Sequence, residues 1–286
     1  GEALKTYTGF TRHYKVFPCG DQQCFEVRTN LGATKNSPDH KFFVYDDEDL
    51  ELKSAGDLLD TDHVLYELPY SASSNRPSTL SPEEVELCGL FCHSGNYPVD
   101  SSEKLYFKVP LSRHGHLDWV TKYLSERWSD KWSIRINGDL EFGVGNTLFT
   151  DDSGIKESFS QWGMSTVTSC NRTIPQWVFG LSRELKGSFL RGLFCSAAYF
   201  GSSQTYFKCP TYDYANSVQL LLTAVGIHAN VKVRKKDRKD RRFLVRVFPN
   251  YIFKFKALIG SRDDYTLQLI EQSATEGNSE LPKELV

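Results

Sequence analysis

The feature that most restricts how this 286-residue chain can fold is an internal duplication. Leu87-Cys-Gly-Leu-Phe-Cys92 recurs as Leu190-Arg-Gly-Leu-Phe-Cys195, 103 residues further on. Each copy opens the same order of expected elements: a helix, a strand (Lys104-Leu-Tyr-Phe-Lys-Val, then Thr205-Tyr-Phe-Lys-Cys), a second helix and paired strands. One supersecondary unit used twice accounts for such a period. A glycine in a helix interior costs about 1 kcal/mol relative to alanine. Gly89 and Gly192, at matching positions, are therefore read as the places where two helix backbones approach closely.

Before the first copy the pattern is different. Cys24-Phe-Glu-Val-Arg-Thr alternates with the period of a strand, as does Tyr14-Lys-Val-Phe, and Lys41-Phe-Phe-Val-Tyr and His63-Val-Leu-Tyr-Glu-Leu add further strands. Ser71-Ala-Ser-Ser-Asn-Arg-Pro-Ser-Thr-Leu-Ser-Pro then has the composition of a linker. Ser81-Pro-Glu-Glu reads as a capped helix start, with proline in the first turn and acids at the positive end of the dipole. The expected organisation is a β-rich domain over 1–70, a linker over 71–82, repeats over 83–170 and 171–262, and a tail over 263–286. The fold class is α/β in the broad α+β sense, the expected form a monomer with internal pseudo-symmetry. Asn137-Gly is read as the turn joining strands around Ser133-Ile-Arg-Ile and Leu140-Glu-Phe-Gly-Val.

Composition excludes several classes. With 40% hydrophobic, 13% aromatic and 24% charged residues, the chain can bury real cores and is not disordered throughout. A net charge of −2 rules out a general basic coat but leaves room for a local one. Seven cysteines, an odd number, point to reduced thiols inside a cell, nuclear and cytoplasmic locations being indistinguishable. No apolar run approaches the roughly 18 residues of a membrane span, and Gly1-Glu-Ala-Leu-Lys is not read as a signal peptide.

Leu87-Cys-Gly-Leu-Phe-Cys-His-Ser-Gly95 and Leu190-Arg-Gly-Leu-Phe-Cys-Ser-Ala-Ala198 resemble the paired signature helices of the LAGLIDADG homing endonucleases, in the two-repeat form carried by inteins. Thr173-Ile-Pro-Gln-Trp-Val-Phe, ahead of the second signature, and Leu221-Leu-Thr-Ala-Val-Gly-Ile-His-Ala-Asn-Val-Lys-Val extend the likeness over about residues 81–262. Gly32-Ala-Thr-Lys-Asn-Ser-Pro-Asp-His-Lys-Phe-Phe is similar to the splicing (Hint) domain of an intein, Ser37-Pro-Asp-His40 standing where that family has its Thr-x-x-His motif. The resemblance implies a partial Hint-like β domain followed by two αββαββα-like repeats forming a pseudo-two-fold LAGLIDADG domain. It also implies a saddle-shaped sheet that lies on double-stranded DNA.

That family's cleavage requires a carboxylate at the end of each signature helix to hold divalent metals. Ser94 and Ala197 occupy those positions here, and Cys92 and Cys195 occupy the often acidic positions two residues earlier. The expectation is therefore a degenerate site with no catalytic residues, no metal and no cofactor, Mg2+ mattering only if nuclease activity survives. Splicing is expected to be lost as well, because His40 and Ser37 remain while residue 1 is glycine and the sequence ends in Glu280-Leu-Pro-Lys-Glu-Leu-Val286. Cys19 and Cys24 are read as free thiols rather than half a zinc site, and His114 and His116 as loop residues.

What survives is charge. Lys232, Arg234, Lys235, Lys236, Arg238, Lys239, Arg241, Arg242 and Arg246 face only Asp237 and Asp240 within the same stretch, and alternation with Val231 and Val233 puts Lys232, Arg234 and Lys236 on one face of a strand. Such a row neutralises phosphates; a solvated hairpin tip is the plainer alternative. The corresponding hairpin of the first repeat has Arg135 offset by Asp139 and Glu141, so a lopsided footprint is expected. The leading expectation is a catalytically inactive, intein-derived homing-endonuclease-like protein that keeps duplex binding and touches no membrane. Two alternatives stand beside it: a residual metal-dependent nuclease using Asp100 or Asp213, and a protein-binding scaffold whose exposed aromatics are Tyr106, Phe107, Tyr206 and Phe207.

Overall fold

The computed structural model describes residues 4–6, 9–11, 21, 23–29, 32–46, 49–64, 80–96, 104–110, 112–137, 145–164, 172–201, 204–235 and 241–277. The chain divides into two units, Gly1–Ala72 and Ser73–Val286. Among the described residues no helix is long and apolar enough to cross a membrane.

The first unit is built of short antiparallel strands: β1 (Leu4–Thr6) with β2 (Gly9–Thr11), β3 (Phe25–Thr29) with β4 (Gly32–Asn36), and β5 (Lys41–Asp46) between β6 (Asp49–Ser54) and β7 (His63–Val64). The strand expected at Tyr14–Phe17 and the thiol of Cys19 lie outside the described residues, while Cys24 is exposed. Ser37 to His40 form a tight turn, closed by the His40 amide donating to the Ser37 carbonyl at 3.1 Å and tied down by the Ala55 amide donating to the His40 carbonyl at 2.8 Å.

The second unit begins with α1 (Pro82–Ser94). Ser81 and Glu84 cap it reciprocally: the Glu84 amide donates to Ser81 Oγ at 3.2 Å, and the Ser81 amide donates to Glu84 Oε2 at 2.7 Å. Then follow β8 (Leu105–Pro110), α2 (His114–Trp128), β9 (Ser133–Asn137), β10 (Gly145–Thr150), α3 (Ser153–Gln161) and α4 (Gln176–Phe179). The second half is α5 (Arg183–Ala197), β11 (Ala198–Gly201), β12 (Gln204–Cys209), α6 (Tyr212–Thr223), β13 (Ala229–Lys235), β14 (Arg241–Val247), α7 (Ile252–Leu258) and α8 (Asp264–Gly277). The sheets run β8-β10-β9 and β11-β12-β14-β13, all pairs antiparallel. Even the extra strand β11 has a trace in the first repeat. Asn96 forms an isolated bridge to Tyr106, where Tyr199, 103 residues later, pairs with Tyr206.

The duplication is physical at the contact of α1 with α5. A Cβ placed on Gly89 would fall on the Phe189 carbonyl oxygen, and one placed on Gly192 would fall on the Glu86 carbonyl oxygen. Glu86 and Phe189 are themselves 103 residues apart, so each glycine admits the same carbonyl of the other helix. The two helices bury apolar side chains against each other and the sheets: Val85, Leu87, Cys88, Leu90, Phe189, Leu190 and Leu193 are inaccessible to solvent. Glu86 is equally buried and is held by the Arg262 guanidinium at 2.7 and 2.9 Å and by Arg191 at 3.0 Å. Arg262 also lies 4.3 Å over the Trp119 ring.

Four expectations need correction. The strand partner of β9 is Gly145–Thr150, with Ile136 opposite Asn146, so Asn137-Gly does not make a two-residue turn; seven residues, 138–144, separate the strands and lie outside the described residues. Burial explains the register, since it places Leu148 opposite Phe107, both inaccessible. Phe107 and Phe207 are core residues rather than exposed aromatics, because strand alternation turns Tyr106 and Tyr206 outward and their neighbours in. His116 sits buried in the first turn of α2 and not in a loop, while His114 opens that helix exposed. The stretch 263–286 holds α8, whose Thr266 and Ile270 are inaccessible to solvent, rather than a plain tail.

Candidate nucleic-acid interface

The ends of the paired helices come first, because the resemblance puts metal chemistry there. Ser94 and Ala197 are the last residues of α1 and α5. Ser94 Oγ is committed within the protein, donating to the Leu90 carbonyl at 2.8 Å and accepting from the Lys108 amide at 3.4 Å. Ala197 has no side-chain oxygen. Burial pushes the Cys92 thiol up to about 12 and raises those of Cys88 and Cys195 too, so none is a thiolate at neutral pH.

The carbonyls at these ends are also taken. Arg172 donates to the carbonyls of Cys92 and Gly95, each at 3.0 Å, and to that of His93. Arg113 donates to the Ala198 carbonyl at 3.1 Å and to Thr266 Oγ1. Gly95 and Ala198 are equivalent positions, so each helix ends on a guanidinium, supplied from a different part of the chain. A cation there neutralises the negative pole of the helix dipole, which is the work a metal would otherwise share. Positions 94 and 197 carry no carboxylate and fixed cations sit beside them, so these described residues do not fit a divalent metal. Among the described residues no group of three His, Cys, Asp or Glu side chains could hold one elsewhere. Asp213 stands exposed in the first turn of α6, and Asp100 lies outside the described residues.

Two imidazoles lack an ionic role, His116 buried and His93 half-buried with its Nδ1 closed off from solvent. His93 stacks on Tyr214 at 5.8 Å and meets Phe207 edge-on at 4.8 Å; burial, with Arg172 nearby, lowers its pKa to about 3. His116 reaches about 3 as well, through burial and the cations Arg113, Arg262 and Arg191, opposed by Asp263. Above pH 6.5 both histidines are neutral folded or unfolded. As pH falls below that, only the unfolded chain takes up the protons, so stability declines by up to about 1.4 kcal/mol per pH unit for each histidine until about pH 3. Urea unfolding at pH 7, 6 and 5 is expected to show this loss, and His93→Phe to make its slope shallower; equal slopes in the two proteins would refute the assignment.

The outer faces of the sheets offer a different chemistry. In the second sheet, cross-strand register aligns Tyr199, Tyr206, Arg246 and Asn230 in one row, Lys208, Leu244 and Lys232 in the next, and Arg242 with Arg234 in a third. Lys208 and Lys232 are exposed, Arg246 half-buried. None of these three has an ion-pair partner among the described residues, and that face carries no acidic residue there. Several cations elsewhere are ion-paired, as in Arg127 with Glu84, Lys131 with Asp152 and Lys256 with Glu271. Arg234, Lys235, Arg241 and Arg242 belong to β13 and β14, while Lys236, Arg238 and Lys239 lie outside the described residues. Sequence reasoning singled out the charges of this hairpin but overlooked Lys208, Tyr199, Asn230 and Gln204, which reach the same face only through strand pairing.

The first sheet is sparser. Lys108, Thr147 and Arg135 share a row, next to Tyr106, Phe149 and Ser133. Lys104 lies 4.6 Å over the Phe149 ring and Lys108 5.9 Å over that of Tyr106.

No family model matches the chain. It is 22% identical over 258 residues to glutamine–fructose-6-phosphate aminotransferase [isomerizing] of Methanocaldococcus jannaschii, a match covering 79% of this chain and 22% of that protein. The chain thus spans about a fifth of this curated relative, and at that identity the aminotransferase activity stays with the relative. Similar solved structures include the homing endonuclease I-DmoI in complex with DNA and Mn, 12% identical with a TM-score of 0.45, covering 63% of this chain and 96% of that one. The N-terminal LAGLIDADG domain of WhiA is 18% identical with a TM-score of 0.42, covering 66% and 87%. Full-length WhiA from Thermatoga maritima is 20% identical with a TM-score of 0.44, covering 75% and 66%. The DNA and manganese named for I-DmoI are that protein's own.

Proposed function

We infer that this chain binds double-stranded DNA through the outer faces of the two sheets of its second unit, unequally, and that it does not cleave it. The observation carrying this reading is the set of cations Lys208, Lys232 and Arg246, without an ion-pair partner among the described residues, on a sheet face whose described strands carry no acid, in a chain whose net charge is −2. Evenly spread charge would be paired or scattered; a row concentrated on a broad face matches a phosphate backbone. Arg234 and Arg242 extend the same face by register. Absence of cleavage rests on the helix ends, where Ser94 and Ala197 supply no charge and Arg172 and Arg113 supply the wrong one. Neither a metal nor any other cofactor has a part in this reading.

Descent from an intein-borne endonuclease, with the first unit a remnant of the splicing domain, is part of the same proposal. It is supported by the Ser37–His40 turn preceding the duplicated unit. The protein-scaffold reading loses its main support now that Phe107 and Phe207 prove to be core.

Affinity for random-sequence duplex DNA, measured across salt, tests the proposal. Neutralising about five phosphates gives a slope of log affinity against log salt of about −4.5. Absence of binding at about 50 mM salt, a slope near zero, or reproducible cutting with magnesium or manganese would each overturn it.

A further inference from the structure

The link from α7 to α8 is pinned from several sides. Arg262 is held by Glu86 of α1, and Arg191 of α5 donates to the Ile259 carbonyl at 2.6 Å. The Asp263 carboxylate accepts from the Gly115 amide in the first turn of α2 at 3.4 Å, and from the Thr266 amide and hydroxyl, each at 2.9 Å. It thus caps α8 while tying it to α2. Further along α8, Ser273 Oγ donates to the Gly201 carbonyl at the end of β11, an edge strand. A Cβ placed on Gly115 would fall on the Arg262 carbonyl oxygen, so the start of α2 and the link meet backbone to backbone. Next to that contact stands His116, 2% exposed, both ring nitrogens closed off from solvent and without a hydrogen-bond partner among the described residues. A neutral imidazole leaves one donor and one acceptor unmet there, and an imidazolium would leave two donors unmet.

The charges around this imidazole oppose a proton. Arg113 at the head of α2, Arg191 on α5 and Arg262 on the link face it, against Asp263. Glu86, from α1, is already shared by Arg191 and Arg262, and Cys195 of α5, near Arg113 and Asp263, is a neutral thiol. We propose that residues 261–277 form an acid-released strap: His116 is neutral while the strap is closed, and takes up a proton when it opens, so that falling pH favours the open state. The hinge is Gly260, which ends α7 with a φ of +60°, a conformation glycine adopts without strain. Opening withdraws Arg262 and Asp263 from His116 and gives both nitrogens water. It also uncovers Thr266 and Ile270 and takes support from β11, whose Tyr199 stacks on Tyr206. Above pH 6.5 the imidazole is neutral in both states and pH has no effect; below it only the open state gains the proton, and its population rises about tenfold per pH unit. This inference is independent of the duplex-binding reading.

Amide hydrogen exchange on the full chain at pH 7.5 and pH 5.5, each corrected for the intrinsic exchange rate, tests this. In wild type the amides of α8 are expected to be less protected than those of α5 at both pH values, and to lose about tenfold in protection between them. The amides of β11 should follow α8. His116→Phe, which has no ring nitrogen to satisfy or protonate, is expected to leave the protection of α8 the same at both pH values. His116→Leu serves as a second variant, the folding of each being verified by its melting temperature at pH 7.5. His93→Phe is expected to keep the tenfold loss in α8, because His93 stands at the end of α1 against Phe207 and Tyr214. Equal protection of α8 and α5 would mean that the strap opens only with global unfolding, and would refute the proposal. So would α8 protection in wild type that does not change with pH, a tenfold loss that persists in the folded His116 variants, or one that disappears in His93→Phe.

Discussion

Replacing either Gly89 or Gly192 by alanine is expected to destabilise the second unit by about 3 kcal/mol or more, and replacing both to prevent α1 and α5 from pairing as they do. Intrinsic propensity argues the other way, since alanine in a helix interior is worth about 1 kcal/mol over glycine. Sterics decides. The added methyl would overlap a backbone carbonyl oxygen, of Phe189 in one case and Glu86 in the other, and would also meet the amide nitrogen of Leu193 at 3.1 Å or of Leu90 at 2.8 Å. A side chain could rotate away, but a backbone carbonyl moves only with its helix. Separating the helices would open the layer formed by Leu87, Leu90, Leu190 and Leu193. Inserting volume into so closed a core costs about 1–3 kcal/mol even where neighbours can adjust. For a unit of this size, a loss of 3 kcal/mol lowers the melting temperature by about 6–12 °C. Gly154→Ala is the control: Gly154 is exposed on α3, and its nearest neighbour is a carboxylate oxygen of Asp152 at 3.2 Å, so a change within about 1 kcal/mol is expected. Melting of Gly192→Ala within about 2 °C of wild type would show that the helices do not touch as described.

The glycine contact was readable from the sequence because the duplication states it twice, and its physical cause, close backbone approach, is local to a short motif. The same holds for the start of α1, where Ser81, Pro82 and Glu84 cap within four residues. Pairings made across the chain were not readable. Arg172 reaches Gly95 over 77 residues and Arg113 reaches Ala198 over 85, and neither arginine stands out in its own surroundings. The Asn137-Gly pair looked like a hairpin turn, yet burial of Leu148 against Phe107 outweighed local turn preference. For the sheet face, charge density singled out the hairpin of β13 and β14. It could not show that Arg246 would be enclosed between Tyr206 and Asn230 while Lys232 stayed free, because that distinction depends on which strand lies inside the sheet.

Removing the Arg172 guanidinium, as in Arg172→Leu, is expected to cost about 3–5 kcal/mol, an effect comparable to that of the glycines but from a different cause. Three carbonyls at the end of α1, those of Cys92, His93 and Gly95, depend on this side chain. Hydrogen bonds to a charged group contribute about 1.5–3 kcal/mol each, and buried acceptors left unmade keep their desolvation cost. Compensation by water is restricted because Cys92 and Gly95 are buried. Leucine retains some of the packing, so a loss of this size would come from the lost donors. Arg172→Lys keeps the charge near the helix end but cannot span the carbonyls of Cys92 and Gly95 with a planar fork. It should recover less than half of the loss. Restoring acid to the helix end is the complementary measurement. Ser94→Asp on its own is expected to bind manganese no more tightly than about 1 mM by electron paramagnetic resonance, because the Arg172 guanidinium, bonded to residues on both sides of position 94, already supplies the positive charge a metal would bring. A stable Arg172→Leu protein, or micromolar manganese binding by Ser94→Asp, would mean that the arginine is incidental and that the helix end is still a metal site lacking only its carboxylate.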